Sequence, residues 1–265
     1  MSPMATSHPH ASRTVRAHSF NTAAAQYAAN RPSYPPTLFD TVEALASRSL
    51  HGARVVDVGA GTGIATALLH ARRADVLAVE PGAGMAAQFR RTHPRIPLVR
   101  GDGNALPVGT ASTDFLTYAQ SWHWTDTTRS VPEALRVLRP GGALALWWNT
   151  AAVDVPWIAD ATLRIHRFLG VDPGTPIEKS ASGAPAALAD TAGRLDFTRR
   201  QIRWSRTVPL DTHLANIASH SGFLVLGDEA TSAFLTEERA HLRALFPTET
   251  IEETYDVDLL VAVRP

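Results

Sequence analysis

Residues 55–63 read Val55-Val56-Asp57-Val58-Gly59-Ala60-Gly61-Thr62-Gly63, an apolar run that gives way to glycine at every second position. The spacing predicts a short strand over 54–58 and a helix over 62–72 that turns Ile64, Ala65, Leu68 and Leu69 inward. Between them the backbone must reverse sharply and let a ligand approach with no Cβ in the way, which calls for glycine. The helix that follows offers unpaired N–H groups and its positive dipole end to that ligand. A dinucleotide-binding turn is spaced Gly-x-Gly-x-x-Gly. Here position 64 is Ile, so the third glycine falls one residue early and the pattern is Gly-x-Gly-x-Gly behind the carboxylate of Asp57.

Outward from this turn, strands and helices alternate. Strands are expected over 76–79, 97–100, 114–119 and 143–148, and helices over 83–91 and 130–138, with Pro140-Gly141-Gly142 as a break. Trp147 and Trp148 end the last of these strands, and alternation sends one to each layer of the sheet. Upstream, a helix over 20–29 stops at Arg31-Pro32, because a residue before proline avoids the helical region. A second starts at Pro35-Pro36 with Leu38, Val42 and Leu45 on one stripe. Past Asn149 the pattern loosens. Helices are expected over 154–169, 186–192, 210–221 and 236–245, a Pro/Gly/Ser-rich connection over 172–185, and strands over 200–208 and 255–263. The expected fold is α/β: a doubly wound, Rossmann-like, seven-stranded and mostly parallel sheet whose last strand is antiparallel, with a helical lid insertion. Residues 1–18 read as a disordered tail and 19–265 as a single domain, with lid helices over 19–50 and a lid insertion over 151–195.

The 265-residue chain balances 25 basic against 25 acidic residues, so no net field draws it to a nucleic-acid backbone. Only one of the basic residues, Lys179, is a lysine. The absence of cysteine excludes disulfides, thiolate nucleophiles and zinc–thiolate sites. There is no apolar run long enough to span a membrane, and the polar start with His8, His10 and His18 has no signal-peptide core. The expectation is a cytoplasmic monomer or homodimer with a small-molecule substrate and no nucleic-acid or membrane partner.

Two more acids fall at strand ends, where open α/β sheets bind ligands. Glu80, in Ala78-Val79-Glu80-Pro81, has two acceptor oxygens for a ribose diol, and Asp102, in Gly101-Asp102-Gly103-Asn104-Ala105-Leu106-Pro107, is set to accept from an exocyclic amine. With these on hand, the chain resembles the class I S-adenosylmethionine-dependent methyltransferases, in the small-molecule branch that is methyltransferase-11-like. The likeness runs over about 20–149 and rests on six motifs. They are the lead-in Tyr27-x-x-x-Arg31-Pro32-x-Tyr34-Pro35, the GAGTG turn, Glu80, the GDGNALP loop, the AQSWHW strand end (119–124) and VLRPGG (137–142).

The resemblance implies S-adenosylmethionine as cofactor, with Gly59, Gly61 and Gly63 along its methionine part and Asp57 nearby. It puts Glu80 at the ribose, Met85 by the adenine and Asp102 at its amino group, with Pro81, Gly103 and Asn104 also at the cofactor. Gln120 would touch the cofactor from the fourth strand, and Tyr27 and Arg31 would close over it. Tyr34, Ser121, Trp122 and Trp124 would meet the substrate.

A sulfonium methyl is already activated, so in-line orientation supplies most of the rate, and a base is needed only for a hydroxyl or an acidic carbon. His123 is the candidate base, against a packed role between Trp122 and Trp124. No Asn/Asp-Pro-Pro-aromatic motif follows the fourth strand, which counts against methylation of nucleobase amines, and Gln120 in place of a carboxylate counts against a metal. His166 and His220 are expected on outlying helices, and Arg199, Arg200 and Arg203 on a solvated strand face. The alternatives are a cyclase or decarboxylase using the same cofactor, a non-catalytic binder, and a nicotinamide oxidoreductase that the glycine spacing disfavours.

Overall fold

The computed structural model describes Phe20, residues 23–171 and residues 195–265. The tail 1–18 and the short helix expected over 186–192 lie outside these residues. Seven strands form one sheet: β1 Arg54–Val58, β2 Asp75–Glu80, β3 Leu98–Arg100, β4 Thr113–Ala119, β5 Leu138–Ala151, β6 Thr198–Pro209 and β7 Thr250–Val263. Their order is β3-β2-β1-β4-β5-β7-β6. β1 to β5 pair in parallel, while β7 runs antiparallel to both β5 and β6. The chain therefore reverses direction of travel between β1 and β4, and their C-terminal ends flank the switch point where such sheets bind ligands.

Two apolar layers cover the sheet. On one face lie α2 Pro36–Ala46 and α3 Ile64–Ala71, whose Leu38, Phe39, Val42 and Leu69 pack on Val55, Phe115, Trp147 and Leu259. On the other, α5 Thr127–Val137 sets Val131, Ala134 and Val137 on Leu116, Leu146 and Trp148. Trp147 and Trp148 are both fully buried, one in each layer, as strand alternation requires. α4 Ala83–Thr92 closes the β2–β3 end through Phe89 against Ala78 and Ile96.

The structure corrects several expectations. Residues 36–46 of the segment read as lid belong to the main core, because Leu38, Phe39 and Val42 are buried against the sheet. Pro140-Gly141-Gly142 does not break β5. The strand passes through with a register shift against β4, and Gly142 O accepts from Arg264 N–H at 2.8 Å. α5 starts earlier than expected because Asp126 caps it, accepting from Thr128 N–H at 3.0 Å. Helical cover also continues past the expected insertion. α6 Pro156–Leu169 packs with α7 Leu210–Ala218, α8 Ser221–Leu226 and α9 Asp228–Leu245 in one cluster around Leu214, Ile217, Phe223, Phe234 and Leu242. This cap is split in sequence by β6, and its α7 starts at the end of that strand. Since β5 and β6 are both antiparallel to β7, that end lies on the same side of the sheet as the ends of β1, β4 and β5. No helix among the described residues is long and apolar enough to cross a membrane.

Candidate active site

Gly59, Gly61 and Gly63 all take positive φ, at 67°, 59° and 96°. Such a path costs an L-residue about 1–2 kcal/mol per position, which is the physical reason for the alternation of glycines. The turn is pinned to the neighbouring strand, since Gly59 N–H donates to Val79 O at 2.8 Å. At Gly59 a Cβ would lie 2.5 Å from Ser121 Cβ, whereas at Gly61 it would meet only Gly59 O at 4.0 Å. Gly61 therefore turns an open face outward. Thr62 is buried, and its Oγ1 has no hydrogen-bond partner among the described residues. α3 begins at Gly63 with no side-chain cap, leaving its first N–H groups to a ligand.

Glu80 stands opposite this turn. Its Oε2 accepts from Gly61 N–H at 2.8 Å and its Oε1 from Gly82 N–H at 2.6 Å, so each oxygen keeps a lone pair for a further donor. Burial pushes its carboxyl above the ordinary value, against the two backbone donors. Pro81 is exposed beside it and Met85 is buried on α4. Asp102 is exposed and accepts from Asn104 N–H at 2.7 Å, while Asn104 Oδ1 accepts from Asp126 N–H at 2.7 Å and ties the loop to α5. Gly103 is closely packed, since a Cβ there would lie 3.0 Å from Thr125 Cγ2.

At the end of β4, Gln120 adopts a φ of 58°, which turns the chain out of the sheet into a 3-10 turn over Trp122–Trp124. Ser121 Oγ donates to Val58 O at 2.5 Å and locks that turn onto β1. The lead-in reaches the same place. Phe20 packs edge-on to Tyr27 at 5.6 Å and to Trp124 at 6.2 Å, and Arg31 lies over the Tyr27 ring at 4.7 Å. Tyr34 is buried edge-on to Trp147 at 5.9 Å, and burial raises its hydroxyl pKa. Gly59, Gly61, Gly63, Glu80, Gln120, Ser121 and the lead-in are thus gathered at one end of the sheet. Two residues read as ligand contacts face elsewhere. Asp57 lies wholly under the turn, and Trp122, 1% exposed, sits edge-on to Tyr118 in the core.

A methyltransferase domain model matches residues 56–146, the span from the glycine turn to β5. An uncharacterized methyltransferase of Mycobacterium tuberculosis is 40% identical over 210 residues, which make up 79% of each chain. This chain belongs to the methyltransferase family. Among solved structures it is similar to a type II methyltransferase assignment from Anaeromyxobacter dehalogenans, with TM-score 0.60, 25% identity and coverage of 88% of this chain and 96% of the other. The fold is also shared with Haemonchus contortus phosphoethanolamine N-methyltransferase 2, whose structure is in complex with S-adenosyl-L-methionine. That match has TM-score 0.50 and 14% identity, covering 96% of this chain and 57% of the other.

In this methyltransferase Asp57 braces the site from below. Its oxygens accept from Thr66 Oγ1 at 2.5 Å and Thr117 Oγ1 at 2.9 Å. Burial raises its pKa from 3.8 to about 6, against those two hydroxyls. Between these values the folded chain holds a proton that the unfolded chain has lost, so stability falls as pH rises through that window, by about 3 kcal/mol in all. Asp57→Asn removes this slope. Denaturant unfolding near pH 4 and near pH 7 is expected to show the variant gaining about 2–3 kcal/mol on the wild type between them; an unchanged difference contradicts the assignment.

Sequence reasoning missed the partners that set the behaviour of the two histidines examined below. His123 Nδ1 accepts from Trp148 Nε1–H at 3.2 Å. On β7 beneath the cap, Glu253, 2% exposed, receives His213 Nδ1 at 2.6 Å, Arg206 Nε at 2.6 Å and Tyr255 OH at 2.9 Å. The only signal for the second group was the run of arginines on β6. Arg199, Arg200 and Arg203 are exposed as expected, yet Arg199 pairs with Asp258 and Arg203 with Asp256 and Asp154, whereas Arg206, half-buried, pairs with Glu253 across to β7. His166 is packed on α6, and His220 precedes α8, where burial first and then the nearby Arg31 hold its pKa well below the ordinary value.

Proposed function

We propose that this methyltransferase transfers the methyl group of S-adenosylmethionine to a small-molecule acceptor by in-line displacement. The observation that carries the reading is the Glu80 carboxylate, anchored by Gly61 and Gly82 N–H groups with a lone pair free on each oxygen, beside the open face of Gly61. Such a carboxylate suits a vicinal diol, and the orphan Thr62 hydroxyl and uncapped α3 terminus suit the polar end of an amino acid. Asp102 and Met85 would take the adenine. The cofactor supplies a methyl on a positively charged sulfur, ready for attack. What the chain supplies is orientation and exclusion of water, which together can lower the barrier by about 7 kcal/mol or more.

His123 takes a defined part in this reading. Trp148 can only donate, so the His123 nitrogen facing it carries a lone pair, and the neutral ring keeps its proton on Nε2. The Nδ1 lone pair of His123 is therefore already taken by Trp148 and does not serve as the base. Tyr27, Arg31, Tyr34, Ser121 and Trp124 would shape the acceptor side, with the lead-in over 20–34 closing on the cofactor. The chain would act in the cytoplasm as a monomer or homodimer. Incubation with methyl-labelled S-adenosylmethionine and a mixture of small-molecule hydroxyl, amine and carboxyl compounds is expected to yield S-adenosylhomocysteine with label on a small molecule. Release of decarboxylated cofactor, or label only on nucleic acid, would overturn the reading.

A further inference from the structure

We propose that His213, oriented by Glu253, is the general base of the reaction, and that the acceptor is a phenolic or enolic hydroxyl. The inference rests on the methyltransferase reading and adds to it the proton's destination and the acceptor's class.

The geometry begins with β7. Its residues alternate between the faces of the sheet, and Val257 and Leu259 pack in the layer of Tyr34 and Trp147, so Glu253 and Tyr255 lie on that same face, toward the strand end where the cap stands. α7 brings His213 onto Glu253 with Nδ1 at 2.6 Å from Oε1. Burial works to raise the Glu253 pKa, but the His213 and Arg206 contacts outweigh it and hold the carboxyl at about 2, so it is ionised at neutral pH. An ionised carboxylate accepts only, so in the neutral ring the proton sits on Nδ1 and the lone pair on Nε2. His213 is 9% exposed, and that Nε2 has no hydrogen-bond partner among the described residues. This is the reverse of His123, whose lone pair is already taken.

Two further buried polar atoms nearby are also unpartnered, Asn216 Oδ1 on the next turn of α7 and Arg31 Nε on the lead-in. They belong to one connected group. Arg31 Nη2 donates to Ser219 O at 3.1 Å, Asn216 Nδ2 to Tyr255 OH at 3.2 Å, and Tyr255 OH to Glu253. A buried donor or acceptor left unmet is costly, so a base, a cationic donor and an amide acceptor left unpartnered together suit a ligand. A carboxylate acceptor would arrive already ionised and need no base. A phenol or enol loses its proton within reach of an imidazole, and Arg31 Nε–H suits the oxygen beside it. Charged or titratable groups beside this pair include Arg206 on β6, which also binds Glu253, and His220 after α7, while the largely exposed Asp211–Arg239 pair joins α7 to α9.

In the step, the hydroxyl O–H bond breaks as its proton passes to His213 Nε2. The oxygen's electron pair forms the new O–CH3 bond, and the pair of the C–S bond leaves with sulfur, which becomes a neutral thioether. The imidazolium formed is held against Glu253 and later returns its proton to water.

The test uses 4-nitrophenol, whose phenolate absorbs in the visible, added to the whole protein with S-adenosylhomocysteine. Below the phenol's own pKa, the wild type is expected to bind it as phenolate, and His213→Asn, which keeps a donor toward Glu253 but has no Nε2, is expected to lose that absorbance. Long-range nitrogen–proton NMR of the wild-type protein should show His213 with its proton on Nδ1. Equal absorbance in the two proteins, no bound phenol, or a proton on Nε2 would each overturn the proposal. S-adenosylhomocysteine binding is measured alongside by calorimetry. Its loss in the wild type would strike the methyltransferase reading instead, and its retention in His213→Asn shows the variant folded.

Discussion

Gly59→Ala is expected to lower folding stability by about 3 kcal/mol and to abolish cofactor binding. Two costs combine at this position. The φ of 67° is unfavourable for any residue with a Cβ, and that Cβ would lie 2.5 Å from Ser121 Cβ, far inside van der Waals contact. Ser121 has little room to retreat, because its hydroxyl is bonded to Val58 O at 2.5 Å and its neighbour Gln120 is anchored by an N–H to Trp147 O at 2.9 Å. The strain must pass into the turn that would cradle the methionine end. Thermal and denaturant unfolding measure the first effect and calorimetry the second. Adding Ser121→Gly removes the clash but not the backbone strain, so the double variant should recover about half of the lost stability. Full recovery would mean the positive φ is not needed, and no recovery would mean the contact is not the cause.

Arg206→Met is expected to cost about 3–5 kcal/mol, because it strands a buried carboxylate. Glu253 is 2% exposed and accepts from Arg206 Nε at 2.6 Å. Its pKa is held at about 2 where 4.5 is ordinary, so the pairing contributes stability that is fully present above pH 4.5 and lost as pH falls toward 2. Arg206 also donates to Asn30 O at 2.9 Å and Arg31 O at 3.3 Å, so the same side chain fastens the lead-in. Loss of it should therefore speed hydrogen exchange across α1 (Ala24–Asn30) as well as lower stability, and S-adenosylhomocysteine should slow that exchange again in both proteins. Adding Glu253→Gln should restore stability but not the slow exchange. A loss under about 1 kcal/mol would mean the carboxylate is solvated and the network incidental.

How far the molecule was legible in its residues follows from how local each feature is. Strands buried on both faces must be apolar runs, so β1, β2, β4 and the middle of β5 were readable in place, and Gly59, Gly61 and Gly63 declare a backbone path that only glycine takes cheaply. Glu80 and Asp102 were singled out because strand ends are where ligands sit, and the structure sets Glu80 opposite the glycine turn. Asp57 was read as a contact because it adjoins the turn, yet the hydroxyls of Thr66 and Thr117 hold it below. The role of His123 depends on Trp148, and that of His213 on Glu253, partners 25 and 40 residues away. The cap was split between readings because β6 interrupts it, and the joining contact of Arg31 with Ser219 spans 188 residues. Contacts of that range leave no periodicity in the chain.

On the reading proposed above, the glycine turn and Glu80 form a site for S-adenosylmethionine and not for a nicotinamide dinucleotide. Calorimetric titration of the purified protein with S-adenosylhomocysteine and, separately, with NAD tests it most directly. Saturable binding of one S-adenosylhomocysteine per chain is expected, with no heat from NAD and a loss of about 2 kcal/mol or more in Glu80→Ala, as for hydrogen bonds to a charged group. Binding of NAD, or an affinity for S-adenosylhomocysteine that Glu80→Ala leaves unchanged, would contradict it.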